Sequence, residues 1–562
     1  MATYRFPDSD VPIVLPNASN LINRLLATRN IKTLEEAEKF LEPNYDSQLH
    51  DPFLLNDIEK AVERIKSAFD KQEKIIIYSD YDCDGIPGAV VLHDCFTSLL
   101  YSNFENYIPH RHYEGFGLSV SAIDKLHAKG AQLIITIDCG TSDVEAIAHA
   151  NSLGVDVIVT DHHEPPEVLP EAVAIVNPKL GNYPFTELCG AGVVFKLAQA
   201  LLARLPHTLI AGREKWWLDM VGVATIADMV PLVGENRVFA HYGLQVLRKS
   251  RRPGLQQLLK KNRVDQRFLT EEDIGFTIGP RINAASRMDT PEDAFYMLST
   301  TDIGKAGAHV EHLERLNQER KTAVALMTKD LHKRLKALPE IPQVLVLGNP
   351  EWRPSLVGLA ANKLAEEHHR PVFLWGKDGN GVYKGSCRSG GGVSVVRLME
   401  TASEVFLEHG GHHFSGGFSV HDDHIFTLPM RLNEALEKLG EEAAFEEEMN
   451  IDAFLSLDDV THALVDEISR LSPYGTGNEK PLFAFQAVRP IKVEQFGKGK
   501  EHLKLLFETN GGPVEAIAFY ATEDSFKIQP TIEFSFTLIA HIERSFFMGR
   551  RQLRLRIVDI LS

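Results

Sequence analysis

At 562 residues the chain is too long for one hydrophobic core, so two to four domains are expected. Apolar residues make up 44% and charged residues 24%, an ordinary globular composition that excludes a disordered or low-complexity chain. The net charge of −18 repels a polyanion at long range and argues, at first sight, against a nucleic-acid partner.

The N-terminal stretch MATYRFPDSDVPIVLP carries no basic patch followed by an apolar run, so no signal peptide is expected. No segment approaches the length of a membrane-spanning helix. Five widely spaced cysteines suggest neither a disulfide frame nor a zinc site, and a soluble, cytoplasmic protein is the expectation. The first half alternates short β-branched runs with helical patterns: KIIIY before Ser79, LIITI before Asp138, VDVIVT before Asp161 and AVAIVNP after it. Strands separated by helices such as SAIDKLHAKG and VEAIAHANSLG imply a parallel sheet with crossover connections. GAGVVFKLAQALLARL from Gly190, and the WWLDMVGVATIADMV stretch after it, read as buried helices. From Asp302 to Leu338 a long charged helix with one apolar stripe ends at Pro339 and Pro342, the natural place for a boundary.

A second α/β segment opens with QVLVLGNP and runs to GGFSVH. From about Leu457 onward, short strand-like runs separated by turn residues predict a small β-barrel or sandwich. Two basic runs stand out in this acidic chain. One spans Arg248 to Arg267; the other comprises Arg544, Arg550, Arg551, Arg554 and Arg556. Either alone reads as a solvated face, but together they suggest a channel or groove.

The acids carry the chemistry. IIIYSDYDCDG places Asp80, Asp82 and Asp84 at alternate positions after a buried strand, on one face wherever the backbone stays extended. LIITIDCG places Asp138, and VIVTDHHEP places Asp161, His162 and His163, after further strands. Ligands of open parallel sheets bind at the carboxyl ends of strands, where these motifs converge. Asp228, which interrupts the apolar run ATIADMVPL, needs a cation or equivalent partner if buried. Taken singly, each aspartate reads as a helix cap or turn residue. Taken jointly, they read as a metal site. Asp82, Asp84, Asp138 and Asp228 supply four negative charges, matching two divalent cations, and His162 adds an imidazole. Oxygen ligands suit Mg²⁺ or Mn²⁺, and the imidazole tilts the choice toward Mn²⁺. His163 is placed to donate to a phosphate or leaving group. Cys83 and Cys139 read as small core residues.

At these residues the sequence resembles the DHH phosphoesterase superfamily, its motif standing here as Asp161-His162-His163. The likeness is closest to the RecJ-type family and spans nearly the whole chain. It rests on DYDCDG, TIDCG, ADMVPL, GPRINAASRM (Gly279 to Met288), the Trp352 to Val372 pattern, Gly385-Ser386-Cys387-Arg388-Ser389, Gly410-Gly411-His412 and LSPYGTGNEKPLF. The resemblance implies an α/β fold of four parts. These are a parallel-sheet DHH domain with an N-terminal extension over 1–240, a helical connector over 241–338, a DHH-associated domain over 339–455 and an OB-like barrel over 456–562. It further implies a 5′-to-3′ exonuclease on single-stranded DNA that uses two Mn²⁺ or Mg²⁺ ions in recombination and repair. Asp82, Asp84, Asp138, His162 and Asp228 would be ligands, with Asp80 and His163 close to the reacting phosphate. Arg111, Arg281, Ser386, Arg388 and His412 would hold phosphate or DNA; for Arg111 and Arg281, interdomain salt bridges remain the alternative. The chain departs from the family pattern at Ser286, at GIPGA after the aspartates, and at His413 and Phe414.

Single-stranded DNA is the expected partner, with a helicase and a single-strand-binding protein as further candidates, and no membrane. Two other functions fit the same core: a phosphodiesterase of short oligonucleotides or cyclic dinucleotides, and a non-catalytic replication scaffold. The β-rich tail favours long strands over the first, and the full set of ligands disfavours the second.

Overall fold

The computed structural model describes residues 3–7, 13–207, 209–378, 381–440, 448–497, 499–547 and 550–562. The chain forms two compact units. One holds His50–Val230 and Tyr242–Glu447; the other holds Ala2–Leu49, Pro231–His241 and Glu448–Ser562.

The first unit is built on strands β1 (Ile75–Ser79), β2 (Phe104–Tyr107), β3 (Leu133–Ile137), β4 (Asp156–Thr160) and β5 (Ala174–Val176). They are all parallel, in the order β2-β1-β3-β4-β5. β1 and β3 are buried along their whole length, which explains their continuous rather than alternating apolar sequence. The register sets Ser79 beside Ile137, and Ile137 beside Thr160. The next residue of each strand is therefore an aspartate at the same level: Asp80, Asp138 and Asp161. Each is fixed by its backbone N–H, donated to Ile137, Thr160 and Val176 respectively.

Helices α1 (Gly85–Ser98), α2 (Val120–Ala128), α3 (Val144–Ser152), α4 (Gly190–Arg204) and α5 (Leu218–Ala227) follow. α4 is apolar nearly all round because it is almost wholly buried, against α1, α5 and the sheet. α6 (Gly279–Met288) precedes α7 (Ile303–Lys336), the long helix expected between Asp302 and Leu338. Asp302 caps α7 by accepting from Lys305 N, and Lys333, Arg334 and Lys336 complement its C-terminal dipole. Its 34 residues span about 50 Å. Its first half packs on α6, while Met327, Leu331 and Leu335 enter the core of a second sheet.

That sheet comprises β6 (Leu345–Gly348), β7 (Val372–Lys377), β8 (Tyr383–Arg388), β9 (Phe406–Gly411) and β10 (Ser415–Val420), ordered β9-β10-β8-β7-β6. Only β6 and β7 are parallel, joined through α8 (Pro354–His368).

The second unit is a seven-stranded sheet of β11 (Ala453–Phe454), β12 (Phe483–Val488), β13 (Lys492–Phe496), β14 (His502–Phe507), β15 (Val514–Ala518), β16 (Phe536–Phe547) and β17 (Arg550–Leu561), ordered β11-β12-β16-β17-β15-β14-β13. Leu503, Leu505 and Phe507 alternate inward with strand period two. They share a core with Phe483, Phe485 and Leu538, and with Ile22, Leu25 and Leu26 of the N-terminal segment. That segment was expected to extend the first domain; it groups with the C-terminal strands instead, because its apolar helix face completes their core.

The basic runs are partly structural. Arg252 is half-buried between Asp94 and Asp219, at 2.7 and 2.8 Å. Arg248 donates to Leu269 O, Lys261 pairs with Glu311 and Arg267 with Asp265. In the second unit Arg544 pairs with Asp466 and Arg554 with Glu543. These pairings commit part of each run to structure, leaving the remaining cations for the channel or groove that the two runs suggested. The side chains of Arg550 and Arg551, and of Phe546 and Phe547, lie outside the described residues.

Candidate metal centre

Beyond Ser79 the chain turns rather than extends. Asp82 Oδ1 accepts the N–H groups of Asp84 (2.8 Å) and Gly85 (3.1 Å), steering the chain into α1. The alternating aspartates thus converge through a turn, not along the extended strand that their spacing suggested. A Cβ at Gly85 would lie 2.5 Å from Asp80 O, so the turn demands glycine. The Asp84 carboxylate reaches the start of α4, accepting from Gly190 N (2.6 Å) and Ala191 N (2.7 Å). A helix N-terminus favours that anion.

Asp138 sits in the left-handed region at φ +61°, a strained setting for a non-glycine residue. A Cβ at Gly190 would fall 2.6 Å from the Asp138 Cβ, so only glycine lets α4 approach this closely. Asp228 is the C-cap of α5. His162 Nε2 lies 3.2 Å from Asp138 Oδ1, 3.6 Å from Asp228 Oδ2 and 3.7 Å from Asp84 Oδ2. Among the described residues three groups, Asp84–His162–Asp228, Asp80–Asp82–Asp138 and Asp138–His162–His163, each bring one donor atom per residue within 4.8 Å of the others, and the first two share no residue. Asp80, read from the sequence as a neighbour of the phosphate, therefore stands within a ligand-like set.

The electrostatics favour cations. Burial, then the neighbouring Asp82, pushes Asp84 up to about 7. Burial, then Asp84 and Asp82, pushes Asp228 up to about 9. Asp80 and Asp138 are raised well above the carboxylate range for the same two reasons. Burial and the nearby His163 charge lower His162 to about 4, leaving a neutral imidazole suited to coordination. Asp80 Oδ1 and Asp138 Oδ1 are buried and accept no hydrogen bond. Orphaned carboxylate oxygens inside a ring of like charges fit divalent cations, and the oxygen-rich set with one imidazole fits Mn²⁺ or Mg²⁺. Cys83 and Cys139 are buried, with thiols pushed up by burial, as expected of core residues.

His163 belongs to a different arrangement. Its Nδ1 is 2.7 Å from Asp161 Oδ1. Asp161 also accepts from His162 N, His163 N and Thr141 N. Burial opposes the charge on both partners, but the shared hydrogen bond prevails: Asp161 is held below its usual range and His163 above its own. Sequence reading saw Asp161 only as part of the motif; its service as His163's anchor becomes visible only in space.

Beside the acids lies a group of guanidinium ions. Arg287 is half-buried and pushed down to about 10 by desolvation, then by Arg111, Arg320 and Arg388. Its Nη1 donates to Ser355 O at 2.6 Å. Arg111 lies over the Tyr81 ring at 4.8 Å, and Arg388 donates to Cys387 O. None of these four arginines has an ion-pair partner among the described residues. A Cβ at Gly358, near the start of α8, would meet Arg388 Nη2 at 3.1 Å and Ser386 Oγ at 3.2 Å, so those two side chains flank α8 together. Unpaired guanidinium groups, a hydroxyl and a helix start make an anion pocket.

Arg281 does not join them. Its guanidinium is committed to Glu314 (2.9 Å), Asn262 and Thr277 O, the ion-pair alternative noted for it. Arg287, from the same segment, was missed by the sequence reading; nothing in GPRINAASRM ranks its two arginines. His412 is exposed at the β9–β10 turn, where its N–H donates to Ser415 O, the residue paired across to Arg388. His413 turns to Ser394 Oγ (2.8 Å), while Phe414 is exposed.

A level row of acids on a parallel sheet, coupled to an Asp–His–His turn, defines a DHH-type phosphoesterase. Residues 74–225 match the DHH family, N-terminal domain; residues 342–444 match the DHHA1 domain and residues 451–559 the RecJ OB domain. The chain belongs to the RecJ family. It is 33% identical to the single-stranded-DNA-specific exonuclease RecJ of Escherichia coli, covering 91% of this chain and 90% of that protein. Against the protein of the same description in Bacillus subtilis it is 34% identical, covering 96% and 67%. The crystal structure of RecJ in complex with Mn²⁺ from Thermus thermophilus superposes with a TM-score of 0.82 at 25% identity, covering 100% of this chain and 80% of that one.

Proposed function

We propose that this chain is a metal-dependent exonuclease that degrades single-stranded DNA from the 5′ end, acting in recombination and repair. The observation that carries this reading is the pair of ligand sets with orphaned buried oxygens, set beside four arginines that have no ion-pair partner among the described residues. Asp84, His162 and Asp228 would hold one divalent cation, and Asp80, Asp82 and Asp138 the other. When bound, the cations supply Lewis acidity and neutralise charge at the phosphate.

The remaining work falls to the chain. Ser386, Arg388, Arg287 and Arg111 clamp the 5′-terminal phosphate, so that the next phosphodiester meets the acids. Water attacks that phosphorus; the bond to the 3′ oxygen of the terminal nucleotide breaks, and the strand keeps a new 5′-phosphate. His163, held protonated by Asp161, donates to the phosphate or to the departing oxygen. Each cycle regenerates the end group that the arginines bind.

Beyond the N-terminal segment, which completes the core of the C-terminal strands, the segments bounded near 240, 338 and 455 divide the labour as catalytic core, connector, phosphate-anchoring domain and strand-binding barrel. Manganese is preferred over magnesium because His162 is neutral. A cytoplasmic setting suits five unpaired, buried cysteines, and among the described residues no helix is long and apolar enough to cross a membrane. A helicase would supply single strands, with a single-strand-binding protein as a further partner.

The test is digestion with Mn²⁺ of single- and double-stranded DNA labelled at either end, with dinucleotides as a separate arm. Mononucleotides released from the 5′ end of single strands are expected. Equal degradation of duplex would contradict strand specificity, and activity confined to dinucleotides would identify a short-substrate phosphodiesterase.

A further inference from the structure

The loop between β2 and α2 is fastened at several points and presents aromatic rings to solvent. Glu114 accepts from His110 N (2.7 Å), Tyr107 Oη (2.6 Å) and Lys125 Nζ (2.8 Å). Buried Tyr78 donates its hydroxyl to Gly117 O at 2.8 Å, and Leu118 N donates to Asp143 Oδ2 at 2.7 Å. Gly115 and Gly117 take φ of +83° and +75°, and a Cβ at Gly117 would lie 2.6 Å from the Asp143 carboxylate. Between these glycines stands Phe116, 51% exposed, its ring centroid 5.5 Å from that of His163 at 76°. The same loop carries Arg111, of the anion pocket. A half-exposed ring on a loop this firmly tied, touching the histidine of the reaction site, has an open apolar surface where a nucleoside would sit.

We propose that Phe116 is a substrate-contacting residue: a stacking platform for the base of the nucleotide being removed. The proposal rests on the nuclease reading above. An aromatic face accepts any base, so such a platform fixes the scissile phosphate without reading sequence. Arg111 would hold the terminal phosphate while Phe116 holds the base, giving two points of attachment for one nucleotide.

The experiment uses the full chain with Mn²⁺ and 5′-phosphorylated single strands whose terminal nucleotide is either normal or an abasic tetrahydrofuran analogue. For the wild type, kcat/KM is expected to fall roughly tenfold on the abasic strand. Phe116→Ala should fall by a similar factor on the normal strand and lose little more on the abasic one. Phe116→Leu, which keeps apolar packing against His163, should behave like the alanine variant, and Phe116→Trp should restore activity. Equal losses by Phe116→Ala on both strands would show the ring acting through His163 alone, overturning the proposal. So would a wild type indifferent to the missing base. A wild type inactive on every single strand would instead overturn the nuclease reading, and the proposal with it.

Discussion

Asp138→Asn is expected to lower turnover by roughly a thousandfold or more while the protein remains folded. Asp138 stands in one proposed ligand set, and its Oδ1 is 3.2 Å from His162 of the other. Removing its charge weakens cation binding and displaces whatever remains bound. The several kcal/mol of charge stabilisation that a catalytic metal supplies correspond to about three orders of magnitude in rate. Asparagine is the informative replacement because it tolerates the left-handed backbone, φ +61°, that alanine adopts only with strain. Its amide also relieves repulsion among buried carboxylates, so the variant should melt no lower than the wild type in chelator. Steady-state rates beside a thermal melt decide it; activity within tenfold of wild type would remove Asp138 from the site.

Arg388→Ala is expected to erase the preference for a 5′-phosphorylated end. In the wild type a strand carrying 5′-phosphate should be degraded faster than the same strand with 5′-hydroxyl. Charge-assisted hydrogen bonds to a phosphate contribute about 1.5–3 kcal/mol, so kcat/KM on the phosphorylated strand should fall roughly ten- to hundredfold. The hydroxyl-ended strand should be nearly unaffected. Arg388 donates to Cys387 O and has no acidic partner among the described residues, so the truncation leaves no buried charge unpaired. Arg281 gives the contrasting control. Arg281→Ala strands Glu314 and should lower the melting temperature while leaving the ratio between the two ends intact. Equal rates on both ends in the wild type would dismiss the anchor.

The strands and their acids were legible in the sequence because three of the β-branched runs lead into Asp80, Asp138 and Asp161, and a parallel register puts those positions at one level. The long helix was legible from its charged pattern, its apolar stripe and the prolines beyond it, while the cap at Asp302 became visible only in the structure. What escaped was non-local. Alternate spacing in DYDCDG suggested an extended strand, but the hydrogen bonds from Asp84 and Gly85 to Asp82 bend it into a turn. The basic run from Arg248 suggested part of a groove, and the acids that take up two of its cations, Asp94, Asp219 and Glu311, come from distant parts of the chain. Arg281 and Arg287 share one helix, yet only the partners each meets in space separate an ion pair from an anion pocket. Apolar residues between Val14 and Leu41 precede the first sheet in sequence but complete a core with strands more than 400 positions later, a pairing that local pattern does not encode.

Mn²⁺ titration of the metal-free wild type by calorimetry, repeated on Asp138→Asn, examines the pairing of cations most directly. Two ions per chain are expected for the wild type, with one lost or strongly weakened in the variant. Fewer than two ions bound by the wild type, or identical isotherms for both proteins, would contradict a two-cation centre built on these aspartates.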